Sequence, residues 1–232
     1  MLRIYVSELQ ESGQTFELNQ RDSHYLVNVM RQKVGSTIHV FNETVGEWQA
    51  SVTAIHKHAV VCEVSSQLMK PHQQPKLYLA ASRIKPDTWG WMLEKATELG
   101  VTNICPILSE FTQKSGWDKE KWVYLMKNAA QQCGRLSVPK LEDPQELCTF
   151  LKNQDGSVDW FVALERSQAL PLKEIINNRN KPMGIIIGPE GGWSNHERGL
   201  FDQTPYVTPV LLTQNILRSE TAAIYGLSLL TA

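Results

Sequence analysis

The hydrophobic period of this chain changes once, near residue 70, and no other feature limits its architecture as much. Before that point, apolar and β-branched residues alternate or cluster at strand spacing in Leu2–Val6, Thr15–Leu18, Thr37–Phe41, Trp48–His56 and Val60–Val64. Turn signals at Glu11-Ser-Gly13 and Val45-Gly-Glu47 separate them. A small β-barrel is the expected closure. One helix should interrupt it from about Asp22 to Met30, with Tyr25, Leu26, Val29 and Met30 on one face and Asp22 or Ser23 as its cap. The stretch Gln67–Pro75 carries two prolines, three glutamines and no apolar periodicity, which is how a linker reads.

Beyond it, strand-length apolar runs at Leu77–Ala81, Asn103–Leu108, Trp160–Leu164, Met183–Ile187 and Pro209–Leu212 alternate with helical segments. The helices are expected at Asp87–Leu99, Asp118–Cys133, Leu172–Asn177, Asn195–Phe201 and Glu220–Thr231. This is the rhythm of an α/β domain with a mainly parallel sheet. Two domains follow, residues 1–70 and 76–232, which a chain of 232 residues can accommodate.

Composition narrows the function classes. An apolar fraction of 42% with 20% charged residues excludes a disordered or disulfide-scaffold chain. No run approaches the roughly 20 apolar residues needed to span a bilayer, and the opening Met1–Val6 lacks a long apolar segment, so a cytoplasmic protein with no membrane partner is expected. Twenty-three Lys and Arg against 24 Asp and Glu give a net charge of −1, so any RNA contact must be local rather than a broad basic field. Cys62, Cys105, Cys133 and Cys148 form no Cys-x-x-Cys pair and read as small buried residues in a reducing compartment. His56-x-His58 lacks a third ligand at matching spacing, so no metal is expected.

Two loops carry the chemistry. In Met183–Ser194 a buried-type strand runs into Gly188-Pro-Glu-Gly-Gly192 and then a helix opened by Ser194, which places ligand-ready backbone at the carboxyl end of a strand. It lacks Gly-Lys-Ser/Thr and does not match Gly-x-Gly-x-x-Gly, which counts against phosphate cradling and against a dinucleotide oxidoreductase. In Leu211–Ala223 a strand passes through a polar turn into the last helix, with Arg218 at that helix's N-terminus. A cation there opposes the helix dipole, so a compensating anion is expected from Glu220, Glu190 or a substrate.

Five motifs in order give the chain a resemblance. They are His24-Tyr-Leu-Val-Asn-Val-Met-Arg31 with Gly35, Lys95-Ala-Thr-Glu-Leu-Gly-Val101, Ala130-Gln-Gln-Cys-Gly-Arg135 with Pro139, Gly188-Pro-Glu-Gly-Gly192 with Glu197, and Ile216-Leu-Arg-Ser-Glu-Thr-Ala222. Over its whole length the sequence resembles the bacterial 16S ribosomal RNA uridine N3-methyltransferases of the SPOUT class. The resemblance implies a PUA-like β-barrel followed by an α/β domain with a C-terminal trefoil knot, S-adenosylmethionine as methyl donor, and a homodimer. Connection rules alone would give an unknotted doubly wound sheet. It further implies a cofactor site of Leu164, Ile187, Gly188, Pro189, Glu190, Gly191, Gly192, Leu212, Ile216, Leu217, Thr221 and Ala222. Arg218 would stabilise the uracil anion, and Glu220 would orient it or take the proton. RNA would be held by His24, Arg31, Arg83, Lys85 and Arg135. The family usually reads Leu-Gly-x-Arg-Ile-Leu-Arg before the last helix, whereas Thr213 and Asn215 stand here in place of the glycine and first arginine. The expected substrate is therefore 16S RNA in the small ribosomal subunit. The alternatives are a related knotted methyltransferase acting on transfer RNA or ribose 2′-oxygen, or a non-catalytic RNA-binding assembly factor.

Overall fold

The computed structural model describes residues 1–9, 12–112, 116–165, 168–176 and 181–231. The chain divides into two compact units, one of residues 1–73 with 130–137 and one of residues 74–129 with 138–232.

The first unit is a five-stranded sheet in the order β1-β3-β4-β5-β2, from β1 (Arg3–Tyr5), β2 (Thr15–Leu18), β3 (Thr37–Asn42), β4 (Gly46–Ile55) and β5 (Val60–Met69). Its only parallel pair among these is β1 with β3. Alternate residues such as Ile38, Val40, Ala50, Val52, Val60, Cys62 and Val64 fill its core. β5 continues five residues past Val64, into the stretch whose composition reads as linker. Gln67 and Met69 pair with Trp48 and Glu47 across a bulged register, so the ladder rather than an apolar pattern makes this strand.

The helix expected from Asp22 is instead α1 (Gln20–His24) followed by a π-helical turn, Tyr25–Val29. Its cap is Asn19, whose side chain accepts from the Asp22 amide, so Asp22 lies inside the first turn and Ser23 is buried. Within the same unit Arg3 grips both oxygens of Glu47, at 3.1 and 2.8 Å, and donates to the carbonyls of Ala130, Gln131 and Arg135. His39 Nδ1 lies 2.8 Å from the same carboxylate.

In the second unit every strand pair among the described residues is parallel. The sheet runs β12-β10-β11-β6-β7-β8, with β6 (Leu77–Ser82), β7 (Asn103–Leu108), β8 (Lys140–Leu141), β10 (Asp159–Ala163), β11 (Met183–Ile187) and β12 (Val207–Val210). The short β9 (Gln145–Glu146) also pairs with β7. Both faces are covered, which is why these strands are apolar throughout. Leu77, Leu79, Ala81, Ile185 and Ile187 turn to one core with α2 (Pro86–Glu98), α3 (Lys119–Cys133) and α7 (Ser219–Thr231). Ala80, Trp160, Val162 and Ile186 turn to the other with α4 (Leu147–Lys152) and α6 (Asn195–Asp202). The expected helix Leu172–Asn177 is the single turn α5 (Leu172–Ile175), and Asn177 lies outside the described residues.

One expectation changes. Cys133 and Cys148 are exposed, because they fall on the solvent sides of α3 and α4, while Cys62 is buried and its thiol is pushed up to about 12. Trp89 is buried in the core, whereas Trp91 is 46% exposed. Lys95 pairs with both Glu98 and Glu94 at 2.8 Å, a helix-surface contact of small energetic weight.

Candidate active site

The carboxyl ends of β10 and β11 and the segment after β12 surround a cavity of about 240 Å³. In open parallel sheets this is the crevice where ligands bind. Its walls include Ala163, Leu164 and Glu165 after β10, Ile187 to Glu190 with Gly192 and Trp193 after β11, and Leu211 to Thr213 with Asn215 to Ser219 and Ala222 near the C-terminus.

Local hydrogen bonds fix each wall. The glycine-rich loop closes on itself through the Gly192 amide to the Pro189 carbonyl at 2.9 Å, and Gly192 takes φ +72°, which favours glycine. A Cβ at that position would also lie 3.2 Å from a Glu165 carboxylate oxygen. Trp193 donates its indole N–H to the Ala163 carbonyl at 3.1 Å and packs edge-on against Phe201, locking the loop to β10. The Ser219 hydroxyl donates to the Gly188 carbonyl at 2.7 Å, tying the start of α7 to the same loop. Thr213 and Asn215 build a turn of their own. The Thr213 hydroxyl accepts from the Asn215 amide at 3.1 Å and donates to its carbonyl at 2.8 Å, so a side chain closes the loop without a glycine.

α6 opens with a capping box in which Ser194 and Glu197 satisfy one another's amides. The second oxygen of the buried Glu197 accepts from the Glu110 amide at 2.8 Å. That bond joins residues 87 positions apart, beyond the reach of periodicity or local motif reading.

Leu164, Ile187, Gly188, Pro189, Glu190, Gly192, Leu212, Ile216, Leu217 and Ala222 of the expected cofactor set line the cavity together with Arg218. Gly191, Glu220 and Thr221 do not. Sequence reading missed Glu165, Trp193, Thr213, Asn215 and Ser219. The crevice rule applied one residue past each strand would have found Glu165, and the serine beside Arg218 was a visible signal for the tie to Gly188. Arg218 is exposed, and among the described residues it forms no ion pair with Glu220, Glu190 or any other carboxylate.

The expected RNA-contacting residues fall into three situations. His24 and Arg31 are exposed at the two ends of the π-helical segment, Arg31 with φ +54°, an uncommon conformation for a side-chain-bearing residue. Lys85 is exposed just before α2, while Arg83 lies 5.2 Å over the Trp117 ring and donates to the Gly116 carbonyl. Arg135 is only 8% exposed and bonds the Ser137 hydroxyl. Burial pulls both the Arg83 and the Arg135 guanidinium below the usual value. Among the described residues, no group of three or more His, Cys, Asp and Glu could hold a metal, and no helix is long and apolar enough to cross a membrane.

The apolar walls, loop amides and carboxylates suit a ligand with a flat heterocycle and polar edges. Residues 71–231 match a family described as an RNA methyltransferase domain, and residues 18–65 match one described as an RNA methyltransferase PUA domain. Ribosomal RNA small subunit methyltransferase E of Rickettsia conorii is 31% identical over 97% of this chain and 93% of its own length, and that of Bacillus subtilis is 29% identical over 94% and 90%. The crystal structure of the same enzyme from Neisseria gonorrhoeae bound to S-adenosylmethionine superposes with a TM-score of 0.89, at 25% identity over 98% of this chain and 95% of that one. A Legionella pneumophila protein in complex with the same cofactor gives 0.88, at 28% identity over 99% and 96%. The chain belongs to the ribosomal RNA small subunit methyltransferase E family.

Proposed function

We propose that this protein transfers a methyl group from S-adenosylmethionine to N3 of one uridine in 16S ribosomal RNA of the small ribosomal subunit. The observation that carries this reading is Arg218, a cation without a carboxylate partner among the described residues, standing in the wall of a heterocycle-sized cavity.

The residues present fit the cofactor. Leu164, Ile187, Leu212, Ile216 and Leu217 offer apolar faces to an adenine, and the amides of the Gly188–Gly192 loop offer hydrogen bonds to its edge. Glu165 and Glu190 supply acceptors for hydroxyl and ammonium groups. When bound, S-adenosylmethionine supplies a methyl group on positively charged sulfur, so the N3–C bond forms as the S–C bond breaks and its electron pair returns to sulfur. The chain's part is to make N3 a nucleophile. Uridine N3 must lose its proton, leaving negative charge on the flanking oxygens, and the Arg218 guanidinium stabilises that charge. Glu220, two residues on, neither lines the cavity nor pairs with Arg218, so the N3 proton leaves to water, while the Ser219–Gly188 bond fixes where Arg218 stands.

Several finer features belong to the same reading. The five-stranded first unit is a PUA-like barrel that contacts RNA through His24 and Arg31, with Arg83 and Lys85 contributing from the second unit. Arg135, turned inward, supports the chain instead. The C-terminal segment is threaded into a trefoil knot, supported by Leu211, whose amide and carbonyl are held by Leu170 and Leu172. The protein works as a cytoplasmic homodimer, supported by Trp91 and Tyr225, exposed on helices α2 and α7, which pack on each other.

The test is transfer of labelled methyl to small subunits purified from a strain lacking the protein, with nucleoside mass analysis of the 16S RNA. Label in 3-methyluridine is expected. Label on ribose, or only on transfer RNA, would move the protein to a different reaction, and absence of S-adenosylhomocysteine binding would make it a binding module.

A further inference from the structure

Where β7 ends, the turn Ser109–Thr112 is held far more firmly than a surface turn requires. The Ser109 amide donates to the Thr112 hydroxyl at 2.7 Å, and the two hydroxyls lie 2.8 Å apart. Ser82, fully buried at the end of β6, reaches the Ser109 hydroxyl at 2.9 Å. The Glu110 amide is taken by the buried Glu197, which also holds the start of α6. The scaffolding presents two exposed residues, Glu110 and Phe111, and the Phe111 side chain is 49% exposed.

Phe111 lies against the outside of the glycine-rich loop. Its Cβ, Cγ and Cδ2 sit 3.0, 3.4 and 3.6 Å from where a Cβ on Gly191 would be, so Gly191 is the residue that allows the ring this close. The neighbours of Gly191 on both sides, Glu190 and Gly192, line the cofactor cavity. Arg83 directly follows Ser82 and its amide bonds the Ile107 carbonyl, while its guanidinium is turned to the Trp117 ring and the Gly116 carbonyl.

From this juxtaposition we infer that Phe111 is a substrate-binding residue: an unstacked nucleobase of the RNA substrate packs on its ring at the rim of the methyl-donor site. The inference rests on the proposed methyl transfer to RNA. A firmly held, half-exposed aromatic face beside a site acting on a base matches what base stacking needs. A base must leave its stack before its N3 can meet a methyl donor inside a cavity, and an aromatic platform replaces part of the stacking it loses.

The experiment compares wild type, Phe111→Ala, Phe111→Trp and Phe111→Leu in steady-state methylation of small subunits, with S-adenosylhomocysteine calorimetry and sedimentation on each. The alanine variant should raise KM for the RNA substrate roughly tenfold or more, the loss of one base stack, with kcat changed much less. Tryptophan should restore KM, and leucine, apolar but without a π-face, should not. Equal kinetics for wild type and alanine, or rescue by leucine, overturns the inference. A change in sedimentation overturns it in favour of a contact with a second copy, and weakened S-adenosylhomocysteine binding in favour of a prop for the loop. A wild-type protein that binds S-adenosylhomocysteine but methylates no RNA removes the proposed reaction itself, and this inference with it.

Discussion

Arg218 stands beside the first turn of α7, where the unpaired amides of a helix present partial positive charge, and its own charge adds to that field. Such an arrangement costs stability unless an anion arrives, and the described carboxylates do not provide one. Replacing Arg218 with alanine should therefore leave the fold and S-adenosylhomocysteine affinity nearly unchanged while cutting the methylation rate roughly 100-fold. Calorimetry beside single-turnover methylation separates the two. Ser219 plays a different part. Its hydroxyl bond to the Gly188 carbonyl is worth on the order of 1 kcal/mol, so Ser219→Ala should weaken S-adenosylhomocysteine binding about fivefold in the same titration. Thr213 closes its turn with its own hydroxyl, so the loop holds its path with a side chain in place of a glycine.

The strands of the second unit are packed tightly enough for one methyl group to matter. Gly184, the second residue of β11, lies under the Trp160 indole of β10, and a Cβ there would fall 2.5 Å from two ring carbons. Gly184→Ala should cost about 1–3 kcal/mol and lower the melting temperature of the second unit by several degrees, as scanning calorimetry would read it. The long apolar strands β6, β7 and β11 and the helices α2, α3 and α7 were legible because burial on one or both faces writes its period into the sequence. β8 and β9, two residues each, are too short to carry a period, and α4 sits among them unannounced. The polar end of β5 was invisible for another reason, since backbone pairing alone makes it a strand. The main walls of the cavity could be read because strand ends and glycine loops are local signals. The Glu197–Glu110 bond could not, because it exists only once two distant turns meet.

The two units keep separate cores and should respond to conditions separately. In the first, burial pushes the Glu47 carboxyl up, but hydrogen bonds and charge from Arg3 and His39 outweigh this and hold it below the usual value of 4.5. A carboxyl whose folded value is lowered stabilises the fold above its unfolded value, and that contribution is lost as pH falls through the folded one. Unfolding of the first unit should thus become easier as pH drops below about 4.5, and Glu47→Gln should flatten that acid limb in denaturant titrations. The chain's aromatic residues make the separation visible. Of its seven tryptophans only Trp48 lies in the first unit, while Trp89, Trp91, Trp117, Trp122, Trp160 and Trp193 lie in the second. Intrinsic fluorescence is therefore almost a private signal of the methyl-donor half, whereas far-ultraviolet circular dichroism sees both, so a gap between the two melting curves would time the first unit's unfolding without any added label.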